Sequence, residues 1–166
     1  MARRPEPGSA GRALVVTASA RVATGVQADL SGPILVDGLQ RVGFLVDGPV
    51  VMSDGEQVER ALRSAVAAEY DVVLTTGGTG LSPTDRTPEA TSRVLDAEIP
   101  GIAERIRHYA VDSGAEMALV FRGLAGRAGR TLIVNLPGSP KECRDGVVVV
   151  ARIAPRAVEQ LRGDNP

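Results

Sequence analysis

The stretch LTTGGTGLSPTDRTPEAT, residues 74–91, packs three glycines and a carboxylate between a strand-like run and a helix start. Gly77, Gly78 and Gly80 would let the backbone approach a ligand closely and turn amide N–H groups toward a phosphate. The loop is not a Walker A motif, since no Lys-Ser/Thr follows, and it is not G-x-G-x-x-G. A Gly-Gly-x-Gly run alone reads as a tight turn. Asp85, five residues on, changes that reading, and Asp54 lies just past another strand-like run. Either aspartate could be a local helix cap. Ser53 and Thr87 are placed to fill those caps themselves, which would leave both carboxylates free. Two free carboxylates beside a phosphate-binding loop suit Mg²⁺, which takes oxygens from one or two side chains and from substrate phosphates. The chemistry would be phosphoryl or nucleotidyl transfer, in which the protein positions reactants and neutralises developing charge.

Other residues carry weaker signals. Ser19, Thr24 and the Asp29–Pro33 run, with Ser31 and Gly32, could line a pocket or cap the helix that follows. Arg122, Arg127 and Arg130 could meet an anionic substrate, although solvated charge is the default for such residues. Cys143 reads as a small core hydrophobe. His108 reads as a helix-surface or interface residue, because it has no evident metal or nucleophile partner.

The elements that must hold these residues alternate in type. RALVVTAS (12–19) and DVVLTT (71–76) are apolar runs without alternation, as in strands covered on both faces. FLVDGPVVM (44–52) is a strand whose Gly48 and Pro49 place it at an edge or a bulge. GRTLIVNLPG (129–138) is a further strand ending in a turn. Between them, ILVDGLQRVGF and SDGEQVERALRSAVAAEY carry helical periodicity, the second with a capping box of Ser53 and Glu56. Residues 87 to about 122 read as helix in two or three pieces, broken near Pro100-Gly101 and at Gly114. SPKECRDG opens a helix with Ser139 as cap, Pro140 at the first position and Glu142 closing a second box. Its continuation VVVVARIAPRAVEQLRG is assigned to helix despite the β propensity of four valines. The expectation is an α/β three-layer sandwich, a mostly parallel sheet with helices on both faces. Its ligands would bind beyond the carboxyl ends of the strands, where Asp54, the glycine loop, Asp85 and Asn135–Ser139 all fall.

Bulk properties narrow the function classes. The 166 residues fit one domain, 12–166, behind a Pro-, Gly- and Arg-rich tail, 1–11, that reads as disordered. Net charge is -1 with two Phe, two Tyr and no Trp, which argues against a duplex-binding stripe or a base-stacking platform. One cysteine and one histidine exclude an internal disulfide and a multi-cysteine or histidine-rich metal site. No run is long and apolar enough for a membrane span or signal peptide, so a soluble, cytoplasmic protein with no nucleic-acid or membrane partner is expected.

Three segments, TASARVATGVQADLSGPIL, TTGGTGLSPTDRTPEAT and NLPGSPKE, together resemble the molybdopterin adenylyltransferase family of molybdenum-cofactor biosynthesis. That family includes bacterial Mog and MoaB proteins and the G domain of gephyrin, and the similarity runs from Arg12 to Gly163. The resemblance implies a homotrimer or dimer of trimers that binds molybdopterin and ATP with Mg²⁺. It implies that the pterin's terminal phosphate attacks the α-phosphate of ATP, and that a downstream metal-insertion protein takes the product. Asp54 and Asp85 match the family's essential aspartates and would hold the metal. Thr76, Gly77, Gly78, Thr79 and Gly80 match its binding loop, and Pro137, Gly138 and Ser139 a further pocket wall; Ser19, Asp29, Ser31, Gly32 and Arg122 complete the expected contacts. Three departures stand out: Ser53-Asp54-Gly55 in place of PDE, Thr84 in place of an arginine, and Phe121 in place of a serine before Arg122. The last suggests that Phe121→Ser would strengthen pterin binding, and it keeps open a second reading, a non-catalytic molybdopterin-binding paralogue. A purely structural oligomer would leave the glycines and acids unexplained.

Overall fold

A computed structural model describes residues 5–164. Six strands form one sheet: β1 (Gly11–Ala18), β2 (Phe44–Met52), β3 (Val72–Thr76), β4 (Ala97–Glu98), β5 (Ala125–Ala128) and β6 (Thr131–Leu136). Their order across the sheet is β2-β1-β3-β6-β5-β4. The pairs β1–β2, β1–β3 and β3–β6 are parallel, while β5–β6 and β4–β5 are antiparallel. The helices are α1 (Ala20–Ala23), α2 (Gly32–Arg41), α3 (Glu56–Ala67), α4 (Thr87–Ser92), α5 (Pro100–Asp112) and α6 (Pro140–Arg162), with a 3-10 turn at Glu116–Val120. Among the described residues no helix is long and apolar enough to cross a membrane.

The uninterrupted apolar strands are explained by two cores, one on each face. Val15, Val72, Leu74, Leu132 and Val134 pack with Leu35 and Leu39 of α2, Ile102 and Ile106 of α5, and Val147, Val150 and Val158 of α6. The alternate residues Val16, Val73 and Ile133 pack on Val58 and Leu62 of α3 and Ala90 of α4. Successive side chains of a strand point to opposite faces, so burial on both requires apolar residues at every position. The result is the expected three-layer α/β sandwich.

β2 lies at the edge, pairing only with β1, and its register against β1 shifts between Leu14 and Val16, opposite Gly48 and Pro49. A proline has no N–H for the ladder, which is why the strand tolerates it only there. The four valines 147–150 are helical, inside one 23-residue helix that runs through Pro155. Ser139 caps it, accepting the Glu142 N–H at 3.3 Å, and its hydroxyl also bonds the Glu142 carboxylate.

Other local expectations are corrected. α3 starts at Glu56 behind Gly55, whose φ of 81° makes it the cap residue with no side chain to offer. Glu56 therefore stands at the first helical position rather than the third, too early to close a capping box. The reach back to the Ser53 N–H is made instead by Gln57 Oε1, at 3.1 Å. Thr87 likewise does not cap α4: it is the first helical residue, and Arg86 occupies the cap position without a side-chain bond. Within residues 87–122 the short strand β4 is new, and so is its partner β5 just beyond that stretch. The Ala-Gly-Arg-Ala of β5 has little β propensity and forms against the open edge of β6. Of the segment 1–11, residues 1–4 lie outside the described residues; Ser9 N–H bonds Glu6 O at 3.1 Å in a turn, and Gly11 already belongs to β1.

Cys143 is fully buried under the turn after β6, its Sγ donating to Pro137 O at 2.9 Å. Burial pushes its thiol from 9.0 up to about 11. Native protein is therefore expected to resist iodoacetamide at pH 8, where chain unfolded in guanidinium labels fully; equal labelling would mean that this turn opens readily. Because the folded value lies above the unfolded one, the stability linked to this proton is complete below pH 9 and declines as pH rises toward 11.

Candidate functional site

The strand order reverses direction between β1 and β3: one connection from β1 leads outward to β2, and the chain then returns to β3 on the other side. In open α/β sheets a crevice opens at such a point, beyond the carboxyl ends of the strands. A cleft of about 360 Å³ lies there, walled by Thr17, Ala18 and Ser19 after β1, Thr76, Gly77 and Gly78 after β3, and Asp54, Asp85 and Gly138. A second hollow of about 280 Å³ lies on the other side of the glycine loop, lined by Gly78, Thr79, Gly80, Val120, Pro137 and Gly138 among others. The two share Gly78, Asp85 and Gly138.

The loop needs its glycines. Gly77 and Gly78 have φ of 90° and 64°, and a Cβ would run into Ala18 O at the first and the Asp54 carboxylate at the second. The amide N–H groups of Gly78 and Thr79 meet no acceptor among the described residues, so they remain available to an anion.

The two aspartates are not equivalent. Asp54 Oδ1 accepts the Gly55 N–H at 2.6 Å and the Thr87 hydroxyl at 2.9 Å, and its Oδ2 accepts the Arg86 N–H at 2.7 Å. It thus ties the start of α4 to the turn after β2, which corrects the expectation that Ser53 and Thr87 leave it free. Asp85 Oδ2 accepts the Gly80 N–H at 2.8 Å, and no donor among the described residues bonds its Oδ1. One carboxylate ties the walls together; the other presents an oxygen to the cleft.

The remaining expected residues divide in the same way. Ser19 lines the cleft while capping α1 through Val22 N–H at 3.3 Å, and Thr24 closes that helix by donating to Ala20 O at 2.8 Å. Asp29 and Ser31 line it too, with polar atoms engaged: Thr17 Oγ1 and Gly32 N–H donate to Asp29 at 2.7 and 2.9 Å, and Ser31 Oγ donates to Gly138 O at 2.8 Å. Gly32 serves as the donor in that set. Thr76 Oγ1 holds the opposite turn, donating to Pro137 O at 2.7 Å. Neither Ser139 nor Arg122 is among the residues lining either hollow. Arg127, on β5, sits 3.9 Å from Asp96, Arg130 lies by Asp71 at the opposite end of the sheet, and His108 is exposed on α5.

Sequence reasoning missed Arg21 and Gln27, which line the cleft from the segment around α1. No motif marks them; a four-residue helix carries too little periodicity to show its inward face. It also missed the buried amide of Asn135. Its Nδ2 donates to Thr75 and Thr91 hydroxyls, each at 2.9 Å, and its Oδ1 accepts the Leu124 N–H at 2.9 Å. All these groups sit below the cleft floor, where an unpaired polar atom would be costly.

Phe121 does line the second hollow, as its place in the resemblance implies, but most of its ring is turned into the core. It is 6% exposed and belongs to the α2/α5/α6 core. Its ring presses on Gly123, where a Cβ would meet it, and Arg107 lies over it at 5.6 Å. The hollow beside the glycine loop stays open.

The sequence matches, over residues 14–156, the family described as "Probable molybdopterin binding domain". The chain belongs to this family. The molybdopterin-binding domain is 34% identical over 157 residues to a protein of Helicobacter pylori strain J99 named molybdopterin adenylyltransferase, with 90% of this chain and 87% of that protein covered. It is 37% identical over 139 residues to the Drosophila melanogaster molybdenum cofactor synthesis protein cinnamon, covering 82% of this chain but only 23% of that longer protein. The crystal structure of a molybdopterin biosynthesis protein from Mycobacterium abscessus superposes with a TM-score of 0.88 at 42% identity, over 93% of this chain and 98% of that one. The domain is accordingly a molybdenum-cofactor biosynthesis protein of the Mog/MoaB kind.

Proposed function

We propose that this domain transfers the adenylyl group of ATP to molybdopterin, giving molybdopterin-AMP and pyrophosphate. The observation that carries this reading is the meeting of two hollows at Gly78, Asp85 and Gly138, with a carboxylate oxygen free at the junction. Two substrates that exchange a phosphorus-bound group need such a junction, and the name of the Helicobacter pylori relative points to this reaction. An oxygen of the pterin's terminal phosphate bonds to the α-phosphorus as the bond from that phosphorus to pyrophosphate breaks. The attacking phosphate is already largely ionised at pH 7, so no side chain has to remove a proton. The free N–H groups of Gly78 and Thr79 and the frame tied by Asp54 would then orient the phosphates.

The residues fit a Mg²⁺ that shares its ligands with the nucleotide. Asp85 Oδ1 is open, Asp54 has one lone-pair site beyond its three donors, and no cluster of three or more His, Cys, Asp or Glu side chains occurs among the described residues. This is the pattern of a metal held by one or two carboxylates plus substrate phosphates. Bound there, it would neutralise charge on the phosphates. The same reading, through the resemblance to its family, has the domain assemble as a homotrimer or dimer of trimers, act in the cytoplasm, and pass its product to a metal-insertion protein.

The three donors on Asp54 favour a second reading, a carrier that binds molybdopterin without turnover, since they leave Asp85 the better placed of the two for a metal. Thermal unfolding separates the two. The transferase is stabilised by Mg-ATP, by about 2.7 kcal/mol at a hundredfold excess over Kd, and by molybdopterin. A carrier responds to molybdopterin alone.

A further inference from the structure

The glycine loop is tied down by a residue that lines neither hollow. Arg122 donates from its backbone N–H to Thr79 O at 2.9 Å, from Nε to Gly80 O at 2.9 Å and from Nη2 to Asp85 O at 3.2 Å. Its Nη1 pairs with Glu89 Oε1 of α4 at 2.5 Å, an interaction that holds the Glu89 carboxyl below its usual range. The segment carrying Arg122 is itself fixed to α5, where Arg107 Nε donates to Phe121 O at 2.8 Å. Within residues 79–86 the loop's other internal bonds are few: Gly80 N–H to Asp85, Asp85 N–H to Ser82 O at 2.9 Å, and weak hydroxyl contacts between Ser82 and Thr84. One guanidinium therefore clamps both ends of the segment from Gly80 to Asp85, and Glu89 fixes the plane of the clamp.

We propose that Arg122, braced by Glu89, is a positioning residue that sets the Asp85 carboxylate at the junction of the two hollows without touching substrate. The inference rests on the transferase reading for its kinetic consequences, but the ordering of the loop stands apart from them. Planarity is essential to it. A lysine has one compact donor head and cannot hold two carbonyls and a carboxylate in a fixed fork. Misplacing a reacting group by about 1 Å costs on the order of a hundredfold in rate.

The test is Arg122→Lys, which keeps the charge and most of the stem and so guards against simple unfolding, with Arg122→Ala beside it. Amide hydrogen exchange is measured in both, together with kcat and KM for Mg-ATP. In Arg122→Lys the amides of Gly80 and Asp85 are expected to exchange at least about tenfold faster while those of β3 and β6 do not change. The kcat is expected to fall about ten- to a hundredfold with KM nearly constant. Unchanged exchange at Gly80 and Asp85 overturns the proposal. So does a rise in KM at constant kcat, which would make Arg122 a substrate contact. Acceleration spread evenly through the sheet overturns it too, by making Arg122 a general stabiliser. If the wild-type protein transfers nothing, the transferase reading falls, and the exchange rates alone decide whether the clamp exists.

Discussion

Asp85→Asn is expected to lower adenylyl transfer by more than about a hundredfold while the melting temperature stays nearly constant. The stability half follows from the bonding. The aspartate's one internal partner is the Gly80 N–H on Oδ2, and an asparagine carbonyl accepts that bond equally well. The activity half follows from the oxygen that bonds nothing: in asparagine it becomes an uncharged donor, repelling a cation and unable to offset phosphate charge. The same change at Asp54 behaves differently. Its oxygens face two backbone N–H groups and the Thr87 hydroxyl, so an NH₂ there must oppose a donor. Asp54→Asn is expected to lose about 1–3 kcal/mol of stability as well as activity. Calorimetry with the activity assay separates the roles; equal melting temperatures for the two variants would contradict the division made above.

Phe121→Ser is expected to destabilise the fold by about 3–5 kcal/mol, a loss in Tm of roughly 10 °C for a chain of this size. The ring is 6% exposed and packed on Gly123 beneath Arg107, so truncation opens a cavity and places a hydroxyl in apolar surroundings. Gains in pterin binding are not expected, because the hollow that Phe121 helps to line beside Gly78 and Gly80 is already open with the ring in place, and truncation acts mainly on the core. Urea unfolding checks this: a variant as stable as the wild type, with tighter molybdopterin binding, would restore the view that the ring obstructs the site.

That reversal shows where the sequence is legible and where it is not. Val15, Leu74, Ile133 and their neighbours announce a doubly covered sheet because burial on two faces leaves no room for alternation. Gly48-Pro49 announces an edge because proline lacks a donor. Ser139-Pro140 announces the start of α6 because its capping bonds are local, three residues apart. Distances of thirty or more residues carry no such mark. The bond from Arg86 N–H to Asp54, the clamp from Arg122 to Gly80, and the amide of Asn135 between Thr75 and Thr91 all depend on which loops meet after folding. Asp54 and Asp85 look alike in the chain, each following a strand; only their partners distinguish them. Phe121 looked like an intruder for the same reason, since nothing near it in sequence tells that its backbone turns the ring inward. The pair β4–β5 escaped notice because the edge of β6, not the residues of β5, makes it a strand.

The central claim is that the junction at Asp85 transfers an adenylyl group rather than merely holding molybdopterin. Purified protein incubated with molybdopterin and Mg-ATP is assayed for molybdopterin-AMP and pyrophosphate, with Asp85→Asn alongside. Both products in equal amounts from the wild type, and almost none from the variant, is the predicted result. Molybdopterin bound by the wild type with no pyrophosphate released would contradict the claim and leave the domain a carrier.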